Sequence, residues 1–212
     1  MSTLKAINLQ HPTASTANIT LSNTGGIALN GSVSGGGMDL ITPTSVAGTG
    51  VTFSGGAISF SAATSISVNG CFSSVYQNYK ILIDYTSPGA PGFYYRFRTG
   101  GVDNSTSNYQ WQRHQASGAS VTAALASSQN TLGGWGITAS FPIFQQIELN
   151  NPFESAYTTG WYSWARMNSL TNTDVEQGTN IFSLTTSFDG ITFYPSTSTL
   201  TGSLRIYGYK KS

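Results

Sequence analysis

Apolar and polar side chains alternate with a period of two over long stretches of this chain. In Tyr79–Tyr85 and in Phe93–Thr99 the odd-numbered positions carry most of the aromatic and branched apolar residues. A period of two turns one face of a strand toward a core and the other toward solvent. The best helical candidate, Val121–Ser128, is short and equally compatible with a strand. We therefore expect an all-β protein.

Further segments carry the same strand signal. They are Tyr109–Gln115, Val121–Leu125, Ile143–Leu149, Tyr157–Met167, Ile181–Phe188 and Ser203–Tyr209. About eight strands of this kind predict a jelly-roll-like antiparallel β-sandwich. The pair Asp189-Gly190, between Phe188 and Ile191, predicts a two-residue hairpin.

The first 62 residues differ from the rest of the chain. Their only charges are Lys5 and Asp39, and their only aromatic residues are Phe53 and Phe60. Glycine-rich turns separate short apolar alternations. These alternations are Ile19–Leu21, Ile27–Leu29, Val51–Phe53 and Ile58–Phe60. We predict a short-stranded N-terminal oligomerisation stalk over residues 1–62 and a β-sandwich head over 63–212; a flexible linker is the alternative for the first part.

The chain has few charges, and this limits its partners. Charged residues make up 8% and the formal net charge is +1, with no basic cluster beyond Lys210 and Lys211. Such a surface does not attract phosphate backbones, so we expect no nucleic-acid partner. A surface with few charges gives little electrostatic repulsion against association, which favours burial of apolar surface in a homo-oligomer. The sequence contains no run long and apolar enough for membrane insertion and no signal-peptide core, so we expect synthesis in a cytoplasm.

The residue types needed for catalysis or metal binding are scattered. We predict no cofactor and no intrachain metal site, because His11 and His114 lie in different halves of the chain; an ion held by symmetry copies of one histidine stays open. Cys71 is expected to be a small buried apolar residue. Asp174 and Glu176 are interpreted as solvated loop charges rather than a glycosidase pair. The sequence therefore predicts a protein without catalytic residues.

Aromatic and arginine side chains around residues 100–108 form the strongest candidate for a binding surface. The candidates for receptor or subunit contact are Tyr94, Arg96, Arg98, Tyr109, Trp111 and Arg113. These residue types give a large contact area, stacking and bidentate hydrogen bonds. The alternative is that the aromatic residues fill the core while Arg96 and Arg98 lie on its exposed face. The same choice, core or glycan platform, applies to Trp135, Trp161 and Trp164.

The chain opens with Met1–Pro12 followed by Thr16–Leu21. This opening resembles the N-terminus shared by small structural proteins of tailed bacteriophages, especially those of cyanobacterial and other marine hosts. The segments similar to a module of phage fibre proteins are Phe72–Ile81, Arg96–Gly101 and Thr201–Gly208. The resemblance implies a virion component that docks by its N-terminus, usually as a trimer, and projects a β-domain outward.

These features lead to the hypothesis of a non-enzymatic tail fibre or knob-like appendage located in the virion. Its partners would be other tail or capsid proteins and a host cell-surface glycan. The particle-anchoring residues would be Leu4, Ile7, Leu9, His11 and Pro12. The alternatives are a capsid decoration or cement protein, a capsule depolymerase and a free-standing lectin.

Overall fold

The computed structural model describes residues 37–136 and 138–211, apart from the side chain of Trp135, and the backbone of three short strands before them. The chain divides into two compact units, Met1–Gly36 and Gly37–Ser212. The first unit contains β1 (Asn8–Leu9), β2 (Ile19–Leu21) and β3 (Ile27–Leu29). They form a three-stranded antiparallel sheet with β2 in the middle, so the two strands predicted here are confirmed.

The second unit consists of strands and the loops between them. The strands are β4 (Met38–Leu40), β5 (Ser45–Ala47), β6 (Val51–Ser54), β7 (Ala57–Ala63), β8 (Ile66–Asn69), β9 (Tyr76–Thr86), β10 (Gly92–Thr99), β11 (Val102–Asp103), β12 (Tyr109–Ser117), β13 (Ser120–Gln129), β14 (Leu132–Gly136), β15 (Ile143–Asn150), β16 (Thr158–Met167), β17 (Thr173–Phe182), β18 (Gly190–Pro195) and β19 (Leu200–Lys210).

These strands build two antiparallel sheets. The larger has ten strands in the order β13-β12-β17-β16-β15-β9-β19-β7-β6, with β4 also paired to β19. The smaller has six strands in the order β11-β10-β18-β8-β5, with β14 also paired to β10. The predicted all-β antiparallel sandwich is confirmed, with more strands than the eight that the sequence suggests.

The period-two alternation decides which residues lie between the sheets. On β9 the buried positions are Tyr79, Ile81, Ile83 and Tyr85, and on β10 they are Phe93, Tyr95 and Phe97. Both faces were predicted correctly. Rings from the two strands meet across the sandwich, with Tyr85 stacked on Phe93 at a centroid distance of 4.9 Å. Cys71 is buried in the same core, as expected.

The compact second unit begins at Gly37, earlier than the boundary at residue 63 that composition predicts. Strands β4 and β7 pair with β19, and β5 pairs with β8. Ile58 and Phe60 are almost completely buried. Residues 37–62 have few aromatic residues of their own. Their strands nevertheless form backbone hydrogen bonds with strands of the two sheets that enclose the aromatic core. A shift in composition therefore does not mark the boundary.

The segment after β17 corrects two local predictions. The strand expected over Ile181–Phe188 ends at Phe182, and Asp189-Gly190 does not form a hairpin. Here the chain passes from the ten-stranded sheet to the six-stranded sheet, so the strands on either side are not paired. Phe188 is fully buried in the loop, where its N–H donates to the carbonyl oxygen of Pro152 at 2.8 Å.

Candidate functional site

The six residues predicted to form one contact surface lie in different sheets. Tyr94, Arg96 and Arg98 belong to β10 of the six-stranded sheet, whereas Trp111 and Arg113 belong to β12 of the ten-stranded sheet. A single surface would require the strands on either side of the loop at residues 100–108 to be neighbours in one sheet. Instead, the chain changes sheet between β10 and β12, so these residues do not make one site.

Tyr109 belongs to the core and is removed from the candidate surface. Its side chain is fully buried. Its hydroxyl donates to the carbonyl oxygen of Asn104 at 2.9 Å and accepts from the N–H of Phe97 at 3.1 Å. These bonds tie the loop 100–108 to the neighbouring strand, and burial raises the pKa of the phenol.

The arginines of β10 are engaged with their own sheet. Arg98 donates to the Asn69 side chain and to the Ser67 hydroxyl, both at 3.0 Å, and forms an ion pair with Asp103. Arg96 donates to the carbonyl oxygen of Asn130 at 2.9 Å and lies over the ring of Tyr194. Arg98 has an identifiable structural role, because it joins β10 to β8.

Arg113 faces the inside of the sandwich, where it meets a buried carboxylate. Its Nη1 donates to Glu176 Oε2 at 3.0 Å, and the Tyr162 hydroxyl donates to Glu176 Oε1 at 2.8 Å. Burial raises the pKa of Glu176, although the bonds from Tyr162 and Arg113 partly offset it. The Tyr162 ring fits here because position 178 is glycine: a Cβ there would lie 2.9 Å from that ring.

The prediction that Asp174 and Glu176 are solvated loop charges is therefore wrong. Both lie on β17 with their side chains directed into the sandwich, 2% and 1% exposed. Asp174 accepts from Nε and Nη2 of Arg166 at 3.0 and 2.7 Å. Each carboxylate thus has its own arginine. The many polar residues of residues 171–178 are typical of a loop, but pairing with β12 and β16 makes most of this segment part of a strand.

The outer face of the ten-stranded sheet offers a more accessible group of polar and aromatic side chains. Trp161 lies on β16 and is 37% exposed, because its neighbour Tyr162 occupies the inner face. The strand register places Trp161 opposite Glu148 on β15 and opposite Thr179 on β17. Trp164 points the other way and is buried, with the Arg166 guanidinium over its ring. The Trp135 side chain lies outside the described residues.

An open groove of about 600 Å³ runs beside Trp161. We call it the Trp161 groove; the side chains that define it are those of Asn78, Glu148, Asn150, Thr159, Trp161 and Tyr209. Its carboxylate, Glu148, is neutralised by Lys80, whose Nζ lies 3.2 Å from Oε1. The groove is therefore neutral and combines two aromatic rings with two amides and a hydroxyl.

A second groove of about 280 Å³ lies on the other side of the same tryptophan. Gln112, His114, Ala123 and Thr179 contribute to its lining. Trp161 is shared by both grooves and forms a ridge between them. An extended neutral ligand that crosses the sheet would contact the indole in either groove.

This arrangement has the chemistry of a site for uncharged, hydroxyl-bearing ligands. An indole offers a flat apolar face, and each amide offers both donors and an acceptor. From the sequence, Trp161 was predicted only to lie either in the core or on a platform for a glycan. Tyr209, Asn78 and Asn150 were not predicted as site residues. The adjacent pair Trp161-Tyr162 was the available signal, because successive residues of a strand face opposite sides.

The residues predicted to anchor the chain lie in the first unit. Leu4, Ile7, His11 and Pro12 lie outside the described residues, and only the backbone of Leu9 is described, in β1. Within the described ranges, no group of three or more His, Cys, Asp or Glu residues is arranged to hold a metal ion. The same ranges contain no helix of the length and hydropathy that a membrane span requires.

Comparisons with known proteins found no match to a family model, to a curated protein or to a solved structure.

Proposed function

We propose that this chain is a non-enzymatic attachment protein of a phage particle, a tail fibre or knob-like appendage whose head binds a neutral glycan on the host surface. The observation that carries the proposal is the Trp161 groove. It presents two aromatic rings, two amides and a neutralised carboxylate on an open sheet face. Sugar rings stack on aromatic faces, and their hydroxyl groups pair with amides of this kind.

The particle location rests on the sequence segments that resemble phage structural proteins. In this proposal residues 1–36 supply the docking and oligomerisation contacts, and residues 37–212 form the attachment head. A trimer would present three heads together, so that weak contacts add through effective concentration. The low charge of the chain agrees with a neutral receptor and gives no support to a nucleic-acid partner.

Replacing Trp161 with alanine is expected to weaken glycan binding by at least about tenfold, since a central aromatic contact contributes roughly 2 kcal/mol or more. The measurement is a glycan array of neutral and anionic bacterial surface oligosaccharides, followed by titration of the best neutral hit. The matched control is Tyr157→Ala, because Tyr157 is an aromatic residue 59% exposed outside the groove. Equal affinities for the wild type and the Trp161→Ala variant would contradict the assignment of the site.

Antibodies against the head, used on intact particles of the phage whose genome encodes this chain, test the location independently. Labelling of the tail in a few copies per particle is the expected result. Hundreds of copies spread over the shell would instead support the capsid decoration alternative. Particles without any label would contradict both virion assignments while leaving the glycan site to its own test.

A further inference from the structure

The edge of the ten-stranded sheet formed by β13 is long, exposed and uncharged. Among the described strands its partner is β12, which leaves the backbone groups of its other side without a strand neighbour. All ten of its residues, Ser120–Gln129, lack charge, and nine of them are exposed. Natural sheet edges are usually protected by lysine, proline, short length or a covering segment. The opposite edge, β6, has only four residues.

The outer side chains of β13 form an apolar stripe. Register with β12 puts Val121, Ala123 and Leu125 on the same face as Gln112 and His114. Val121 is 73% exposed and Leu125 is 72% exposed, although both are branched apolar residues. An apolar stripe beside unpaired backbone groups suits a strand that pairs with another strand.

The stripe is complementary to itself. Because Val121 and Leu125 are equally spaced from Ala123, a two-fold axis at Ala123 sets Val121 of one copy opposite Leu125 of the other. Ala123 then faces its own copy, and no like charges meet. Antiparallel pairing about a two-fold axis is the arrangement in which one edge serves both partners of an isologous contact.

We propose that β13 pairs with β13 of a second copy of this chain, antiparallel and centred on Ala123, so that the two ten-stranded sheets become one continuous sheet. Backbone hydrogen bonds supply the affinity, and the stripe sets the register. This contact does not depend on the first unit. In a trimer held together by residues 1–36, it would join heads of different trimers.

The pairing also has a consequence for the grooves, one that rests on the proposed function. Ala123 also lines the smaller groove beside Trp161, so that groove would continue onto the second copy. Across the strands, seven spacings of about 4.8 Å would separate the two Trp161 rings by roughly 34 Å. Because Trp161 is in register with Leu125, the rings would also be offset by four residues, or roughly 14 Å, along the strands. A long polysaccharide could then engage both copies at once.

Cysteine cross-linking of the full chain tests the register directly. The single native cysteine, Cys71, is buried, so an introduced thiol is the accessible one. Ala123→Cys is expected to form a covalent dimer on mild oxidation or with a short bis-maleimide, because residues directly opposite on paired strands have Cβ atoms about 5 Å apart. The control is Ala165→Cys, an exposed alanine in the middle of the same sheet. Failure of Ala123→Cys to cross-link, or equal cross-linking of both variants, would overturn the proposal.

A charge-swap pair tests the same contact without a cross-linker. Val121→Lys combined with Leu125→Lys places like charges opposite each other across the axis, so head-to-head association should be lost in sedimentation measurements. Val121→Glu combined with Leu125→Lys places opposite charges there and should restore association. Both variants alter only exposed side chains, so folding is retained. If the two variants associate equally, another surface or another segment of the chain covers β13 and the proposal is wrong.

Discussion

Replacing Arg166 with methionine is expected to lower the free energy of unfolding by about 3–5 kcal/mol, because it leaves a buried carboxylate without its counter-ion. The Arg166 side chain is 11% exposed and the Asp174 side chain is 1% exposed. Two guanidinium nitrogens reach the same oxygen of Asp174, and the third donates to the carbonyl oxygen of Gly136. Urea unfolding at one protein concentration measures the loss as a lower midpoint at an unchanged slope.

A surface ion pair of the same sheet provides the control for this variant. Lys80 and Glu148 lie 3.2 Å apart with side chains 23% and 44% exposed. Lys80→Met should therefore cost less than about 1 kcal/mol. The double variant Arg166→Met with Asp174→Leu should recover much of the loss, since it removes the buried charge as well. If Arg166→Met costs no more than Lys80→Met, the pair is not buried in solution.

The same pair makes stability depend on pH. Burial raises the pKa of Asp174, but hydrogen bonds from Ser117 and Arg166 outweigh it and hold that pKa below its ordinary value. A carboxylate with a lowered pKa stabilises the fold above its unfolded value near 3.9, and this contribution is lost as the pH falls through the folded pKa. In Arg166→Met the arginine no longer offsets burial, so Asp174 takes up its proton at a higher pH than in the wild type, and the gap in stability between the two proteins should narrow as the pH falls toward and below about 4.

Replacing Phe97 with alanine should cost about 3–5 kcal/mol, because the substitution opens a cavity in the aromatic core. The Phe97 ring lies 4.9 Å from that of Phe188, 6.0 Å from that of Tyr109 and 6.3 Å from that of Phe182, between centroids. These partners come from two elements of the larger sheet and from the loop after it. Thermal and urea unfolding of the full chain measure the effect.

Phe144→Ala is the matched control for the core variant. Phe144 lies on the outer face of β15 and is 46% exposed, so its removal leaves no enclosed cavity. We expect a change below about 1 kcal/mol. A loss at Phe144 as large as that at Phe97 would mean that the outer face near β15 is buried in the assembled protein.

The strand faces were predictable because side-chain direction in a strand is a local property. The alternation in β9 and β10 placed each buried residue correctly before any strand partner was known. The candidate surface was not predictable in the same way. It required knowing that β10 and β12 lie in different sheets, and that Trp161, Tyr209, Asn78 and Asn150 meet on one face.

The amino-acid sequence by itself determined an all-β chain with a low-charge surface, a buried Cys71 and an aromatic core, since these follow from local period and composition. Only the tertiary structure decided that residues 37–62 belong to the sandwich and that Asp174 and Glu176 are buried beside arginines. It also decided that β13 forms an open edge. The reason is physical: strand neighbours are chosen by backbone hydrogen bonds and packing between residues far apart in the chain, and these contacts leave no local pattern.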